Sequence, residues 1–314
     1  EIHLICPFDT YASKIKAKGI SVHNWNLKKS STNIFREINS IISLYKIYKD
    51  INPDIVHHFT IKSVLYGTLI SNFCGIPFIF NSITGLGTLF VSTYLKDRLL
   101  NILILPFYKL IIRTSKAYLI FQNKWDMNYF INLNLASKKN SFLIRGSGIN
   151  TNYFRNNNNK RNFPKNKYWK ILFPSRLIRE KGINELIVAC DNLWQKNKNF
   201  RLFIAGEFDI NQRGNLSKHS LEKIKKREYV VGLEYQNNMK SLYLDSDIVI
   251  LPTWREGLSR SLLEAGSMEL PIITTDVPGC KDIVLHKKTG LLVNKQDPKA
   301  IENAILLLMK NKKY

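Results

Sequence analysis

Acidic residues are scarce in this chain. Asp and Glu number 24 against 47 Lys and Arg over 314 residues, a formal net charge of +23. Such a balance favours anionic partners in general: phosphorylated small molecules, a membrane surface or nucleic acid. The excess is spread over both halves, and Lys outnumbers Arg while Asn and Ile abound, so part of the charge is compositional. Cysteine is equally sparse. Cys6, Cys74, Cys190 and Cys280 never fall at Cys-x-x-Cys spacing, which argues against a zinc knuckle or a redox motif. Scattered single thiols suit a reducing cytoplasm, where they behave as small hydrophobes. Long apolar runs are also missing. The longest, LLNILILPFYKLII at 99–112, holds a proline and a lysine and falls short of the ~20 residues a bilayer-spanning helix needs. No recognised nucleic-acid motif accompanies the basic charge, and basicity alone is a weak footprint. Nucleic acid is therefore not an expected partner. No repeat of 20–50 residues is present either.

What is present is alternation. Short β-rich runs, EIHLICP (1–7), SVHNWNL (21–27), DIVHHFT (54–60), PFIFNSI (77–83), AYLIFQN (117–123) and SFLIRGSGIN (141–150), are separated by helical patterns at 10–19, 33–51, 62–75, 92–115 and near 124–134. Strands alternating with helices, with few hairpin signals, imply parallel sheets covered by helices on both faces. A polar, Asn- and Lys-rich segment follows and reads as a linker over 151–168. The alternation then restarts with KILFPSR and runs to the chain end through RLFIAGE, YVVGL, DIVILPT, PIITTD and TGLLV, with CKDIVLH among the predicted helices. The expected organisation is an α/β domain over 1–150, the linker, and a second α/β domain over 169–314. Two doubly wound domains of this kind present the carboxyl ends of their strands to a central cleft, where open α/β sheets bind ligands.

Two stretches carry candidate chemistry. In REGLSRSLLEAGSMELP (255–271), Glu256 and Glu264 stand eight positions apart, just beyond the strand DIVILPT. Ser261-Leu262-Leu263-Glu264 also matches a capping box, so Glu264 has a purely helical explanation. Glu256 has none. It lies in the loop before a helix start, where the amides of Gly257, Leu258 and Ser259 are expected to lack intrahelical partners and to suit a phosphate. In FPSRLIREKGINELI (173–187), Arg176 and Lys181 follow a strand end. A forked guanidinium and a point-charge ammonium suit a diphosphate. Either stretch alone is a weak signal; in this order and in one domain they are specific.

SRLIREKG, LFIAGE and EGLSRSLLEAGSMELPIITTDVPGCKDIVLHKKTGLLV resemble retaining glycosyltransferase family 4, of the GT-B fold. NPDIVHHFTIKSVLYG and NSITGLGTLF resemble its bacterial branch that builds surface polysaccharides and lipid-linked glycans. The resemblance implies two Rossmann-like domains and a nucleotide-sugar donor, UDP-linked, held by the second domain. It places Glu256 on the transferring sugar, Glu264 on the ribose, Arg176 and Lys181 on the diphosphate, and the amides of 257–259 on the leaving phosphate. It implies an acceptor hydroxyl on a glycan or polyprenyl-diphosphate-linked glycan, no cofactor and no metal for the chemistry. Fixed cations and helix amides can stabilise charge on a leaving diphosphate without one. Asp245-Ser246-Asp247 matches the D-x-D pattern of metal-using transferases, but three residues between a helix and a strand are expected to cap and turn.

Relatives carry a histidine in a first-domain loop that here reads NSITGLGTLF. Thr84 and Gly85 are the acceptor-side candidates in that loop, and His58 on an earlier strand is a third; a structural role for His58 is the alternative. The resemblance also places a first strand and Gly-rich loop ahead of Glu1 and a crossover helix beyond Tyr314. Lipid-linked acceptors imply a cytoplasmic enzyme that visits the inner face of the membrane. Lys96, Arg98, Lys109, Arg113 and Lys116 around the run 99–112 fit a basic interfacial helix or, alternatively, the charged ends of a buried one. A UDP-sugar epimerase of GT-B-like fold and a non-catalytic nucleotide-sugar-binding subunit are the competing functions.

Overall fold

A computed structural model of the chain describes residues 1–28, 33–85, 95–157, 164, 167–206 and 216–311, with the side chains of Thr10, 95–101 and 103 outside the description. The chain divides into two compact units, Glu1–Ile144 and Arg145–Tyr314.

The first unit runs β1 (His3–Cys6), α1 (Thr10–Lys16), β2 (Ser21–Asn24), α2 (Ile34–Ile51), β3 (Ile55–Phe59), α3 (Ile61–Cys74), β4 (Phe78–Ile83), α4 (Leu95–Thr114), β5 (Tyr118–Phe121), α5 (Lys124–Asn132) and β6 (Ser141–Leu143). Asp9 and Asn33 supply side-chain N-caps to α1 and α2, the residue types preferred where the first amides lack partners. β1 pairs in parallel with β2, and β3-β4-β5-β6 form a second parallel sheet in chain order. Alternation along these strands decides which side is covered. Val56, Ile79 and Leu119 are buried, with Leu44 and Tyr48 of α2 and Ile70 of α3 in the same core as Val56 and Ile79. On the other face Phe59, Phe78, Tyr118 and Phe142 are exposed, and the rings of Phe80, Tyr118 and Phe142 meet one after another across β4, β5 and β6. The predicted strand 141–150 ends at Leu143, and Gly146 and Gly148 then take left-handed φ of 65° and 68° that break the extended run.

The second unit runs β7 (Trp169–Phe173), α6 (Ile183–Lys196), β8 (Phe200–Ala205), α7 (Lys218–Lys225), β9 (Val230–Glu234), α8 (Met239–Asp245), β10 (Ile248–Leu251), α9 (Arg260–Ser267), β11 (Ile272–Thr275), β12 (Gly290–Val293) and α10 (Pro298–Lys310). All six strands are parallel, in the order β12-β11-β10-β7-β8-β9. β10 and β11 are buried at every residue, which is why IVIL and IITT are continuous apolar or β-branched runs rather than alternating ones. Strand order reverses at β7: β8 and β9 build outward on one side, β10 to β12 on the other. Phe154, inside the segment expected as a linker, packs in this unit's core; residues 158–163 and 165–166 lie outside the described residues. The predicted helix CKDIVLH does not form. Residues 278–283 make turns instead, in which the Ile283 and Val284 amides both donate to the Cys280 carbonyl, at 3.0 and 2.9 Å.

Candidate active site

At the strand-order reversal the loops leaving β7 and β10 emerge side by side, the position where doubly wound sheets bind ligands. Beyond β7 the chain makes one 3-10 turn, Arg179–Lys181, and enters α6 through Gly182. Gly182 has φ +74°, and a Cβ there would stand 1.9 Å from the carbonyl oxygen of Pro252. Only glycine permits that close approach of the two loops. The loops are also bonded together: the Trp254 amide and the Thr253 hydroxyl donate to the Glu180 carbonyl at 2.8 and 2.9 Å. A third loop, after β11, closes on them. A Cβ at Gly279 would lie 2.5 Å from the carbonyl oxygen of Gly257 and 2.6 Å from that of Glu256, while the Thr275 hydroxyl donates to the Thr253 carbonyl.

This scaffold brings two of the predicted residues into direct contact. The Lys181 ammonium donates to Glu256 Oε1 as an ion pair, with side chains only 16% and 12% exposed. Arg176, on the same loop as Lys181, is exposed. The helix start is less open than the sequence implied. Gly257 is buried and Leu258 half-buried, and the Ser259 amide donates to the Gly279 carbonyl at 3.5 Å, so the three amides of 257–259 are not all unpaired. Ser259 is the N-cap of α9 and makes no side-chain cap bond. Ser261 and Glu264 are the second and fifth residues of that helix, so the capping box read from the sequence is not formed.

Glu264 is instead held through space. Its residue is buried. Oε1 accepts from Arg260 Nε at 3.0 Å, and Oε2 accepts from the Tyr243 hydroxyl at 3.1 Å. Burial, with the Glu264 charge second, pushes the Tyr243 phenol well above its ordinary range, so it stays a donor. Tyr243 and Arg260 were not legible as site residues. Tyr243 sits 21 positions from its partner on a different helix, and no local pattern links the two.

In Asp245-Ser246-Asp247 only Ser246 sits at a cap, the C-cap of α8, and both aspartates reach across to β7. Asp245 pairs with Lys170, and Asp247 exchanges bonds with the Lys170 backbone, accepting at 2.8 Å and donating at 2.9 Å. Cys280 is buried, and burial together with the nearby Glu256 charge pushes its thiol up to about 12, leaving it inert as a nucleophile.

In the first unit the three acceptor-side candidates separate. His58 lies on the buried side of β3. Asn81 Nδ2 donates to Thr68 Oγ1 at 2.8 Å, so Asn81 Oδ1 is free to accept from His58 Nδ1 at 2.7 Å. His58 Nε2 then accepts from the Tyr48 hydroxyl at 2.8 Å. With both ring nitrogens used inside the core, His58 has none to offer a ligand, which corrects its candidacy; burial pushes its imidazole down to about 4. Thr84 is exposed and Gly85 half-buried just beyond the carboxyl end of β4, and 86–94 lie outside the described residues.

Residues 154–314 match the family Glycosyl transferases group 1, and residues 1–123 match Glycosyl transferase 4-like. The chain belongs to the group 1 glycosyltransferases. It is a glycosyltransferase of the GT-B fold, built from two Rossmann-like units. Among curated relatives it is 27% identical, over 100% of this chain and 83% of the relative, to the N,N'-diacetylbacillosaminyl-diphospho-undecaprenol alpha-1,3-N-acetylgalactosaminyltransferase of Campylobacter jejuni. It is 26% identical, over 87% of this chain and 71% of the relative, to the capsular polysaccharide biosynthesis glycosyltransferase CapM of Staphylococcus aureus. A third relative is the UDP-Gal:alpha-D-GlcNAc-diphosphoundecaprenol alpha-1,3-galactosyltransferase of Escherichia coli, 22% identical over 89% of this chain and 72% of the relative. Among solved structures, a glycosyltransferase from Rickettsia africae superposes with a TM-score of 0.73 at 17% identity, covering 98% of this chain and 79% of that one. Anabaena Alr3699/HepE in complex with UDP-glucose gives 0.76 at 14% identity, covering 97% and 80%.

Proposed function

We propose that this glycosyltransferase moves a sugar from a UDP-linked donor, with retention of anomeric configuration, to a hydroxyl of a polyprenyl-diphosphate-linked glycan. The observation that carries the reading is the junction of the β7 and β10 loops: Lys181 against Glu256, Arg176 exposed on the same loop, and Glu264 on the helix that follows. In the reaction the bond from the anomeric carbon to the diphosphate oxygen breaks and a bond to the acceptor oxygen forms on the same face. The acceptor proton leaves with the nucleoside diphosphate. Arg176 and Lys181 supply positive charge to that leaving group, Glu256 accepts hydrogen bonds from the sugar hydroxyls, and Glu264 takes the ribose diol. Preorganised cations in a partly buried site act most strongly where charge develops, so the reading needs neither cofactor nor metal. Thr84 and Gly85 stand on the acceptor side. The lipid-linked acceptor is supported by the undecaprenol-diphosphate substrates in the names of two relatives.

Peripheral contact with an anionic membrane belongs to the same reading. On α4, Ile102, Phe107 and Leu110 are exposed while Arg113 lies one turn further on and Lys116 just past the helix end, both exposed. An apolar face flanked by cations suits an anionic interface. No helix among the described residues is long and apolar enough to cross a membrane.

The test is a thermal-shift and calorimetric titration with UDP, GDP and ADP. One nucleotide raises the melting point by mass action, by ~2.7 kcal/mol of stability at 100 times its Kd. The gain is lost in Glu264→Ala and Arg176→Ala. No stabilisation by any of the three overturns the reading.

A further inference from the structure

The Glu264 carboxylate is anchored asymmetrically. Arg260, its partner at Oε1, is an exposed side chain four residues away on the same helix. Tyr243, its partner at Oε2, is fully buried on another helix. Tyr243 is itself fixed: Phe154 meets its ring edge-on at 6.1 Å and 73°, and its hydroxyl also lies 3.2 Å from the Ser261 carbonyl. Phe154 is tied in turn to α9, its carbonyl accepting from the Ser267 hydroxyl at 2.6 Å. An exposed i,i+4 cation holds a carboxylate weakly, whereas a hydrogen bond from a buried neutral donor to a charged acceptor is among the stronger ones.

We infer that Tyr243 is a positioning residue for the nucleoside end of the donor. It fixes the rotamer of Glu264 so that the carboxylate meets the ribose diol with its remaining lone pairs. Tyr243 touches no substrate in this role. The inference rests on the reading that Glu264 binds the ribose, and its consequence is specificity: the preference for a ribose over a sugar lacking both hydroxyls depends on a phenol one shell away.

The experiment measures, by calorimetry, the Kd of the best-binding nucleoside diphosphate among UDP, GDP and ADP and of its 2′,3′-dideoxy form, in wild type, Tyr243→Phe and Glu264→Ala. The ratio of the two constants does not depend on the fraction of protein that is folded, so a partly unfolded variant still reports. In wild type the ribose form binds more tightly. In Tyr243→Phe the ratio falls about tenfold, as expected for one hydrogen bond to a charged group, with the dideoxy form bound as in wild type and the donor KM raised more than kcat is lowered. A Tyr243→Phe protein with the wild-type ratio, beside a Glu264→Ala protein that has lost it, overturns the role of Tyr243 alone. A Glu264→Ala protein that keeps the ratio overturns the ribose reading and the inference with it.

Discussion

The ammonium of Lys181 is paired with the carboxylate of Glu256 across two loops whose residues are 75 positions apart in sequence. Both side chains are assigned to different parts of one donor, Lys181 to its diphosphate and Glu256 to its sugar. The two satisfy each other, so an entering diphosphate has to compete with Glu256 for Lys181. Glu256→Gln removes the competing charge at nearly constant volume. Affinity for the nucleoside diphosphate is expected to rise at least severalfold, since the pair is mostly buried and exceeds the ~1 kcal/mol of an exposed one, while transfer falls because Glu256 no longer holds the sugar hydroxyls as a carboxylate. Calorimetry beside a transfer assay checks this; diphosphate affinity that drops in Glu256→Gln contradicts it.

Gly182 is where the two loops touch. Replacing it with alanine places a Cβ 1.9 Å from the Pro252 carbonyl oxygen at a φ of +74°. The loops must part. Stability is expected to fall by at least about 2 kcal/mol, the range of a strained backbone position, with nucleotide binding lost even in the folded fraction. Urea denaturation and calorimetry separate the two effects. A variant with wild-type stability and binding shows that the loops move apart freely.

His58 makes stability depend on pH. Its folded-state value of about 4, set first by burial, lies below the ordinary unfolded value of about 6.5. Between these values the unfolded chain binds the extra proton and the folded chain does not, so stability rises with pH across the window. The contribution is fully present above about pH 6.5 and is lost as pH falls toward 4, on the order of 3 kcal/mol in all. Denaturant melts from pH 4.5 to 7.5 are expected to show a steeper slope in wild type than in His58→Gln. Equal slopes mean that the imidazole protonates in place.

The exposed apolar side chains of α4 set up a membrane test. Wild type is expected to sediment with vesicles containing anionic lipid and not with neutral ones, and Leu110→Glu weakens this several-fold by adding a negative charge to the exposed apolar face that would meet the lipid. Leu110 is 62% exposed, so the substitution leaves the fold intact. Sedimentation that ignores lipid charge removes the membrane from the reading.

The alternation of strand and helix along the chain made the parallel sheets legible, and the six-stranded one most plainly, because IVIL and IITT in β10 and β11 are buried throughout. Element ends were harder to read. The run after Gly279 has helical composition, yet the Ile283 and Val284 amides both close on the Cys280 carbonyl and no helix propagates. The placement of Arg176, Lys181, Glu256 and Glu264 around two neighbouring strand ends followed from motif and order. Their contacts did not, because pairing over 75 residues and the Tyr243 bond depend on how strands and helices stack. The burial of His58 was not legible either: in IVHHF period-two alternation sets Ile55 and Phe59 on one face and Val56 and His58 on the other, and it is the less apolar face that is covered.

The reversal of strand order at β7 has a kinetic side. The loops that hold Lys181 and Glu256 meet only after β10 has paired with β7, a ladder tied at its margin by Lys170 and Asp247, 77 residues apart. Contacts that close so long a stretch of chain form slowly, since the entropy of closure is lost before the pairing returns it. A partly folded chain without that ladder has no place for the donor. Under the proposed function, nucleotide is expected to act on the finished sheet, slowing its opening and leaving the rate of its formation unchanged.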